Sequence, residues 1–346
     1  MNRVAKRRSM NHGVLYVGVD VHEKESQLAV LEKEGSLLRE ERIPTKDLRK
    51  FLSSLPGEKR VAIESVGFIH PIYKKLSSIP DCTVSVANPN KLRLISESST
   101  KNDSNDARIL GDLLRTNYLP LAHMRDEETM EKLFVVKDRV RYGVRRGQLK
   151  GTIRWMLKRR GIDADKGKGL FGPEGRKRLR ELRLQEIDIR MDELELVEST
   201  VDKLDAQIID IVSKDERARL LDTIPGVAPY TALYLACTLD DIDRFPDSKH
   251  ACAYLGLVPW LDASADVTHR GHITKKGDKW VRRNLVECAR AAVRKDADLN
   301  AFYTRLTHKR GERKALIAVA RRLVSYAYWM LKRNVTYEEL NPWNST

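Results

Sequence analysis

Paired cysteines, membrane-length apolar runs, internal repeats and low-complexity tracts are all missing from this sequence. The four cysteines, Cys82, Cys237, Cys252 and Cys288, stand far apart and form no Cys-x-x-Cys pair. That spacing argues against a disulfide framework and a cysteine-based zinc site, and it fits a reducing cytoplasm. With no run of 18 or more apolar residues, no membrane-spanning helix is expected. The basic start, MNRVAKRRSMNHG, has no apolar stretch behind it of the kind a secretory signal needs. Acidic residues are the minority charge: 49 Asp and Glu face 64 Lys and Arg, a formal net charge of +15 over 346 residues. An excess of that size points to a polyanionic partner, nucleic acid before any other. At 41% apolar residues the chain can still build ordinary cores, and its length suits two or three domains.

Residues 14–120 read as α/β. Apolar, β-branched or alternating runs predict strands at Val14–Asp20, Ser26–Glu32, Ser36–Ile43, Arg60–Glu64 and Thr83–Ala87. Thr45 looks like the N-cap of a helix reaching Leu55, where Pro56-Gly57 breaks it. A helix is expected near Ile69–Ser78, and further helices begin near Pro89 and Asp103. Three strands, helix, strand, helix, strand, helix is the order of an RNase H-like fold. Residues 125–215 carry almost no strand signal. From Arg180 to Val212, apolar residues at Ile187, Met191, Leu194, Val197, Val201, Leu204, Ile208 and Ile211 predict one long amphipathic helix. Such a helix suits a coiled coil, within or between chains, or one member of an intramolecular bundle. Gly161–Gly175, with five glycines and Pro173, reads as a loop. Residues 216–340 are expected to be mainly α, with helices at Trp280–Val293 and Lys314–Arg333 and a tight turn at Thr223–Ala228. The domains expected are therefore 12–122, a helical linker at 123–215, and 216–340.

Four carboxylates sit where structure alone does not call for them. Asp20 ends the first strand in VGVDVHE, with Gly18 leaving room for something to approach, and Glu64 ends the fourth strand in VAIESVG. A carboxylate at the end of a buried strand is costly unless it is paired or binds a cation. Asp103 and Asp106, in TKNDSNDARIL, share a helical face at i and i+3. Each has an ordinary reading: Asp106 as a first-turn carboxylate helped by the helix dipole, Glu64 as a strand-end residue paired with a lysine. In an RNase H-like sheet the first and fourth strand ends are adjacent and the last helix packs beside them. Four acids brought together there would repel unless a cation neutralised them, and hard oxygen ligands select Mg²⁺ or Mn²⁺. Two such ions suit phosphoryl transfer.

Two basic stretches stand out. No Asp or Glu interrupts Arg139 to Arg160, which holds Arg139, Arg141, Arg145, Arg146, Lys150, Arg154, Lys158, Arg159 and Arg160 with Tyr142 and Trp155 between them. A solvated helix face normally mixes signs, so contact with an RNA or DNA backbone, and with splayed bases, is the reading. Around 270–283, Arg270, His272, Lys275, Lys276, Lys279, Arg282 and Arg283 flank Gly271 and Gly277, as expected of a grip near a scissile phosphate. Thr223–Ala228, with Pro225 and Gly226, resembles half of a helix-hairpin-helix, whose backbone N–H groups hold phosphates. A plain helix connection is the alternative.

The motifs GVDVHE, AIES and KNDSNDA, followed by IPGVAPYTA, FPDSKHACAYLGLVP and GHITKKGDKWVRRNL, resemble the DEDD transposases of the insertion-sequence-one-ten family over nearly the whole chain. The resemblance implies a RuvC-like N-terminal domain, a serine-bearing C-terminal domain, and a catalytic carboxylate set falling on Asp20, Glu64, Asp103 and Asp106. It implies DNA cutting and rejoining guided by a structured bridge RNA, a dimer or tetramer, and a prokaryotic, nucleoid-associated cytoplasmic protein. The family's serine falls between Pro259 and Ile273, where Ser264 is the sole serine. The resemblance gives it the role of attacking a DNA phosphate and joining the carboxylate site of another subunit. Where the family commonly has Ser-Gly, this chain has Ser264-Ala265. Read without the resemblance, Ser264 is a solvated turn serine, since an unactivated hydroxyl is a poor nucleophile. A hydrolytic RuvC-like nuclease and a non-catalytic nucleic-acid-binding protein are the rival readings.

Overall fold

The computed structural model describes residues 13–65, 67–92, 103–162, 169–264 and 267–340, with the side chains of 90, 103–104 and 261–270 outside that description. The chain divides into two compact units, 1–124 and 125–346.

Unit 1 is a five-stranded sheet with helices on both faces. Its elements are β1 (Leu15–Val21), β2 (Glu25–Leu31), β3 (Leu37–Pro44), α1 (Leu48–Ser54), β4 (Lys59–Glu64), α2 (Ile69–Ser77), β5 (Cys82–Ala87), α3 (Pro89–Leu92) and α4 (Asp103–Arg115). The order across the sheet is β3-β2-β1-β4-β5. The first three strands form an antiparallel meander, and β4 and β5 add in parallel to β1. Alternation along the strands fixes which face each helix covers. Val17, Val19, Val21, Leu28, Val30, Val61 and Ile63 pack against Leu48, Leu52 and Leu76 of α1 and α2. Ala62 and Ala87 face the other way, toward Leu110 of α4.

The expected strands lie within a residue or two of those found. The helix expected from Thr45 does not start there. Thr45 opens a single 3₁₀ turn, and α1 begins at Leu48 after Asp47. The Thr45 hydroxyl is spent elsewhere, donating to the His22 carbonyl at 2.7 Å and meeting the Ser26 hydroxyl at 2.9 Å. It ties β3 to the end of β1 and does not cap a helix.

Unit 2 comprises α5 (Glu127–Arg159), α6 (Pro173–Glu181), α7 (Gln185–Lys214), α8 (Glu216–Asp222), α9 (Pro229–Leu239), α10 (Ser248–Tyr254), a hairpin of β6 (Pro259–Ser264) and β7 (Val267–Ile273), α11 (Lys279–Lys295), α12 (Ala297–Arg310), α13 (Glu312–Arg333) and α14 (Tyr337–Leu340). Its main core surrounds α9, buried from Thr231 to Leu239, and draws in α8, α11 and α13. Leu133, Val136 and Val140 of α5 join this core together with Ile208 and Val212 of α7. A second core joins Leu149, Ile153 and Leu157 to Ile187, Met191, Leu194 and Val197. As numbers rise along α5 they fall along α7, so the two long helices form an antiparallel pair within one chain.

Two expectations change here. The helix expected from Arg180 is two helices, because the chain turns at 182–184 with Arg183 at φ +50°. The loop expected to reach Gly175 ends at Pro173, a residue suited to a first helical position. The C-terminal region is mainly α as expected, with the β6–β7 hairpin in addition.

Candidate active site and nucleic-acid surfaces

In unit 1 the sheet register aligns two of the four carboxylates. Val19 of β1 pairs with Ile63 of β4, so Asp20 and Glu64 follow as neighbours at the ends of parallel strands. Both stand two residues beyond Gly18 and Ala62, so alternation aims both at the α4 face. Gly18 is what lets α4 come so close. A Cβ there would lie 1.8 Å from the Ala107 carbonyl oxygen and 2.5 Å from the Gly111 nitrogen. What approaches the strand at Gly18 is therefore the helix backbone.

The direction of α4 follows from its far end. Arg115 donates to the Lys33 carbonyl at 3.2 Å, just past β2, whose Leu31 pairs with Tyr16 near the start of β1. Helix and strand thus run antiparallel, and the first turn of α4 (Asp103–Asp106) lies toward the Asp20 end. Asp106 immediately precedes Ala107, the residue packed on Gly18. The side chain of Asp103 lies outside the described residues.

Asp20 is mostly covered, with 14% of its side chain exposed, and His22 Nε2 stands 3.1 Å from its Oδ2. His22 was missed in the sequence; its place two residues after Asp20, just past the end of β1, is the signal that could have found it. Among the described residues, no three His, Cys, Asp or Glu side chains stand close enough together to hold a metal ion. The donor set at this sheet end is nonetheless all hard oxygen apart from the imidazole, the chemistry a Mg²⁺-sized cation prefers. In that respect the residues present fit such an ion.

Unit 2 redistributes the basic residues. Along α5, Arg139 grips Asp205 with two bonds, Nε to Oδ1 at 2.8 Å and Nη2 to Oδ2 at 3.1 Å. Arg145 donates to Glu193 at 2.8 Å, Lys150 meets Glu198 at 2.7 Å, and Arg160 pairs with Glu186. The Arg145 guanidinium holds the half-buried Glu193 carboxyl below its usual range. Burial pushes the Glu198 carboxyl up, but Lys150 and Arg176 outweigh it and leave it low. Four of the nine basic residues in the acid-free run are thus spent on α7. Arg146, Arg154, Lys158 and Arg159 have no carboxylate partner among the described residues. The Arg154 guanidinium lies 5.0 Å from the Phe171 ring centre and that of Arg159 5.4 Å from Trp155.

The second basic stretch is also mixed. Arg282 turns inward, its Nη1 donating to the carbonyls of Leu255 at 3.3 Å, Gly277 at 3.1 Å and Lys276. It braces the loop beneath the hairpin, and burial pulls its pKa down. Lys275 N–H donates to the Gly256 carbonyl at 3.2 Å and Thr274 N–H to Val258 at 2.9 Å, completing the brace. Lys275, Lys276 and Arg283 keep exposed side chains, and Arg283 flanks Trp280 at 5.7 Å. The side chain of Arg270 lies outside the described residues.

Ser264 was expected in a loop. It is the last residue of β6 and pairs with Val267 across a two-residue connection, Ala265-Asp266, that lies outside the described residues, as does the Ser264 side chain. A two-residue gap between β-rich runs was the available signal, but no Asn-Gly or Asp-Gly marked it. Gly226 sits in the turn between α8 and α9 at φ +82°, and a Cβ there would meet the Cys288 carbonyl oxygen at 2.7 Å and the Ala292 nitrogen at 2.5 Å. Its missing side chain serves packing on α11.

Two family models match this architecture in order. One, of DEDD type and described as Transposase, covers residues 17–159. The other, described as Transposase IS116/IS110/IS902 family, covers 218–304. The chain belongs to the IS110 family of transposases. It is 23% identical to the transposase for insertion sequence element IS1111A of Coxiella burnetii, over 96% of this chain and 93% of that protein. It is 26% identical to the transposase for IS1328 of Yersinia enterocolitica, over 82% and 85%. A probable family 20 transposase of Pseudomonas aeruginosa is 29% identical over 42% of this chain, and the match spans only 44% of that protein. Members of the family are DNA-cutting and rejoining enzymes, and the DEDD domain implies dependence on a divalent metal ion. No helix among the described residues is long and apolar enough to cross a membrane.

Proposed function

We propose that this IS110-family member is the transposase of an insertion sequence, cutting and rejoining DNA with a carboxylate site in unit 1 and the Ser264 hydroxyl in unit 2. Unit 1 is then RNase H-like, of RuvC type, with residues 12–122 as the catalytic domain, 123–215 as a helical linker and 216–340 as the transposase domain. The observation that carries the reading is the alignment of Asp20 beside Glu64 under the first turn of α4, made possible by the missing side chain at Gly18.

Asp20, Glu64, Asp103 and Asp106 would hold Mg²⁺ or Mn²⁺. When bound, such ions supply Lewis acidity and a charge that neutralises the scissile phosphate. The chain's own residues do the rest. Asp20 and Glu64, on adjacent buried strands, hold their carboxyls in a fixed geometry with little freedom to relax away from one another. Ser264 attacks the phosphorus as the bond to one bridging oxygen breaks, and the serine proton passes by way of solvent to that departing oxygen, giving a phosphoserine link and a free DNA hydroxyl; attack by a DNA hydroxyl later reverses the link and returns a proton to Ser264. Lys275, Lys276, Arg283 and Arg270 oppose the charge that develops. Arg282 positions that loop from beneath. A guide RNA, DNA and further copies of the chain are the partners in this reading.

Covalent capture tests it. Protein, element-junction DNA, the adjacent non-coding RNA and Mg²⁺ are combined and separated under denaturing conditions. An adduct lost in both Ser264→Ala and Asp20→Asn is expected. Cut DNA without an adduct, unaffected by Ser264→Ala, would mean a hydrolytic nuclease.

A further inference from the structure

The C-terminal end of α5 combines three features that its helix pairing does not use. Arg154, Lys158 and Arg159 have exposed side chains and no carboxylate partner among the described residues. Trp155 lies among them with 58% of its surface exposed, an unusual setting for the largest apolar side chain. Beside it opens a cleft of about 470 Å³ lined by Trp155, Met156, Arg159, Arg160 and Glu186, with the Glu186 charge held by Arg160.

Helix electrostatics explain part of this. Lys158 and Arg159 fall in the last turn, where cations complement the helix dipole. That accounts for neither Arg154 nor the bare indole. Arg159 stacks over the Trp155 ring at 5.4 Å, one turn along the same helix. A guanidinium on an indole, beside an open cleft and a cationic surface, is the makeup of a platform for an unpaired base and its flanking phosphates. The same helix carries Gly147 and Gly151 at i and i+4, and an added Cβ at either meets nothing within 4 Å. A backbone can therefore pass close along this side without side chains in its way.

We propose that the end of α5 binds a single-stranded segment of nucleic acid, one base stacking on Trp155 and the adjoining phosphates lying against Arg154, Lys158 and Arg159. This deepens the proposed function and rests on its reading of a nucleic-acid partner. Duplex is disfavoured because its bases are already stacked and leave no face for the indole. A second copy of this chain is disfavoured because three unpaired cations around the indole would face the same three on a symmetry-related copy.

The test is binding of fluorescent 12-nucleotide oligouridylate, and separately of a 12-base-pair DNA duplex, across a salt titration. Trp155→Ala is expected to weaken oligouridylate binding about tenfold with its salt slope unchanged, since stacking releases no counterions. Trp155→Phe keeps a stacking face and should stay within about threefold of the parent. Arg159→Ala should flatten the salt slope by roughly 0.7 for one lost phosphate contact. Duplex affinity should be unchanged in Trp155→Ala. Because Trp155 is exposed, the far-ultraviolet spectrum of each variant should match the parent. Unaltered oligouridylate affinity in Trp155→Ala would overturn the proposal. So would equal weakening for single strand and duplex, or a drop in oligomer size that moves the surface to a contact between copies. Oligouridylate affinity unaltered in Trp155→Ala while the covalent adduct still forms in the parent would sink only this inference. Intact stacking with no adduct would sink the transposase chemistry alone.

Discussion

Acidic side chains are used in opposite ways at the end of the unit 1 sheet and along the α5–α7 pair of unit 2. In unit 1 the backbone brings acids toward acids: β1 and β4 end side by side on Asp20 and Glu64, and α4 sets its first turn, with Asp106, near them. In unit 2 four acids of α7 meet bases on or just past α5: Asp205 with Arg139, Glu198 with Lys150, Glu193 with Arg145, Glu186 with Arg160. The second arrangement stabilises a helix pair. In the proposed reading, a bound cation offsets the repulsion in the first. Charge alone does not mark a site; what matters is whether the fold supplies the opposite sign.

The sharpest way to break the contrast is to close the gap beneath α4. Gly18→Val puts atoms where the Ala107 carbonyl already lies. It should cost about 4 kcal/mol or more, among the largest effects a single substitution gives. A melt should show unit 1 lost at a lower temperature, and DNA cutting should vanish with it.

Next comes the buried pair that anchors α5 to the start of α8. Lys132 Nζ lies 2.7 Å from Asp215 Oδ2, and Asp215 also caps α8 by accepting from Ala218 N–H at 2.9 Å. Asp215→Asn keeps the cap but leaves the Lys132 ammonium only the exposed Glu128 carboxylate, at a cost of about 2 kcal/mol, read from the urea midpoint. The same group sets a pH dependence. Burial pushes the Asp215 carboxyl up, but Lys132 and the Ala218 amide outweigh it and leave it below the usual range, as Lys150 and Arg176 do for Glu198. A depressed folded pKa means that the unfolded chain binds the proton first. The stabilisation is therefore complete above about pH 4.5 and is lost as pH falls through the lowered folded values. Helical signal against pH should drop in that window, and Asp215→Asn should flatten the curve.

Arg139 and Asp205 offer a milder test. Asp205 is more than a third exposed, so solvent weakens the pair despite its two bonds. A double-mutant cycle with Arg139→Ala and Asp205→Ala should give a coupling of about 1 kcal/mol. A coupling near zero would mean that this ion pair adds nothing to the apolar contacts that join α5 to α7. Smallest is Gly147→Ala on the open side of α5. With nothing for the new methyl to strike, it should stabilise the helix by about 0.5–1 kcal/mol, the reverse of the effect at Gly18.

Much of unit 1 was legible because strand alternation is local. Val17, Val19, Leu28 and Val30 announce a buried face by period two, and the strand ends fell within a residue or two of their expected places. Asp20 and Glu64 were conspicuous for the same reason, each a charge ending an apolar run. Less legible was anything set by a distant partner. Thr45 has the residue type of a helix cap, yet its hydroxyl bonds the His22 carbonyl, 23 residues away. Arg145 and Arg282 look like phosphate ligands, but one meets a carboxylate 48 residues on and the other three backbone carbonyls.

By itself the sequence determined the sheet's strands, the carboxylates that end two of them, the long amphipathic helix pattern and the excess of positive charge. These depend on side-chain period and composition, which neighbours in the chain carry. Only the tertiary structure decided that α4 crosses β1 backbone to backbone at Gly18, that acids of α7 take up Arg139, Arg145 and Lys150 of α5, and that Arg282 holds a loop. Each of those turns on one atom meeting another from far along the chain, and contact distance leaves no trace in local spacing.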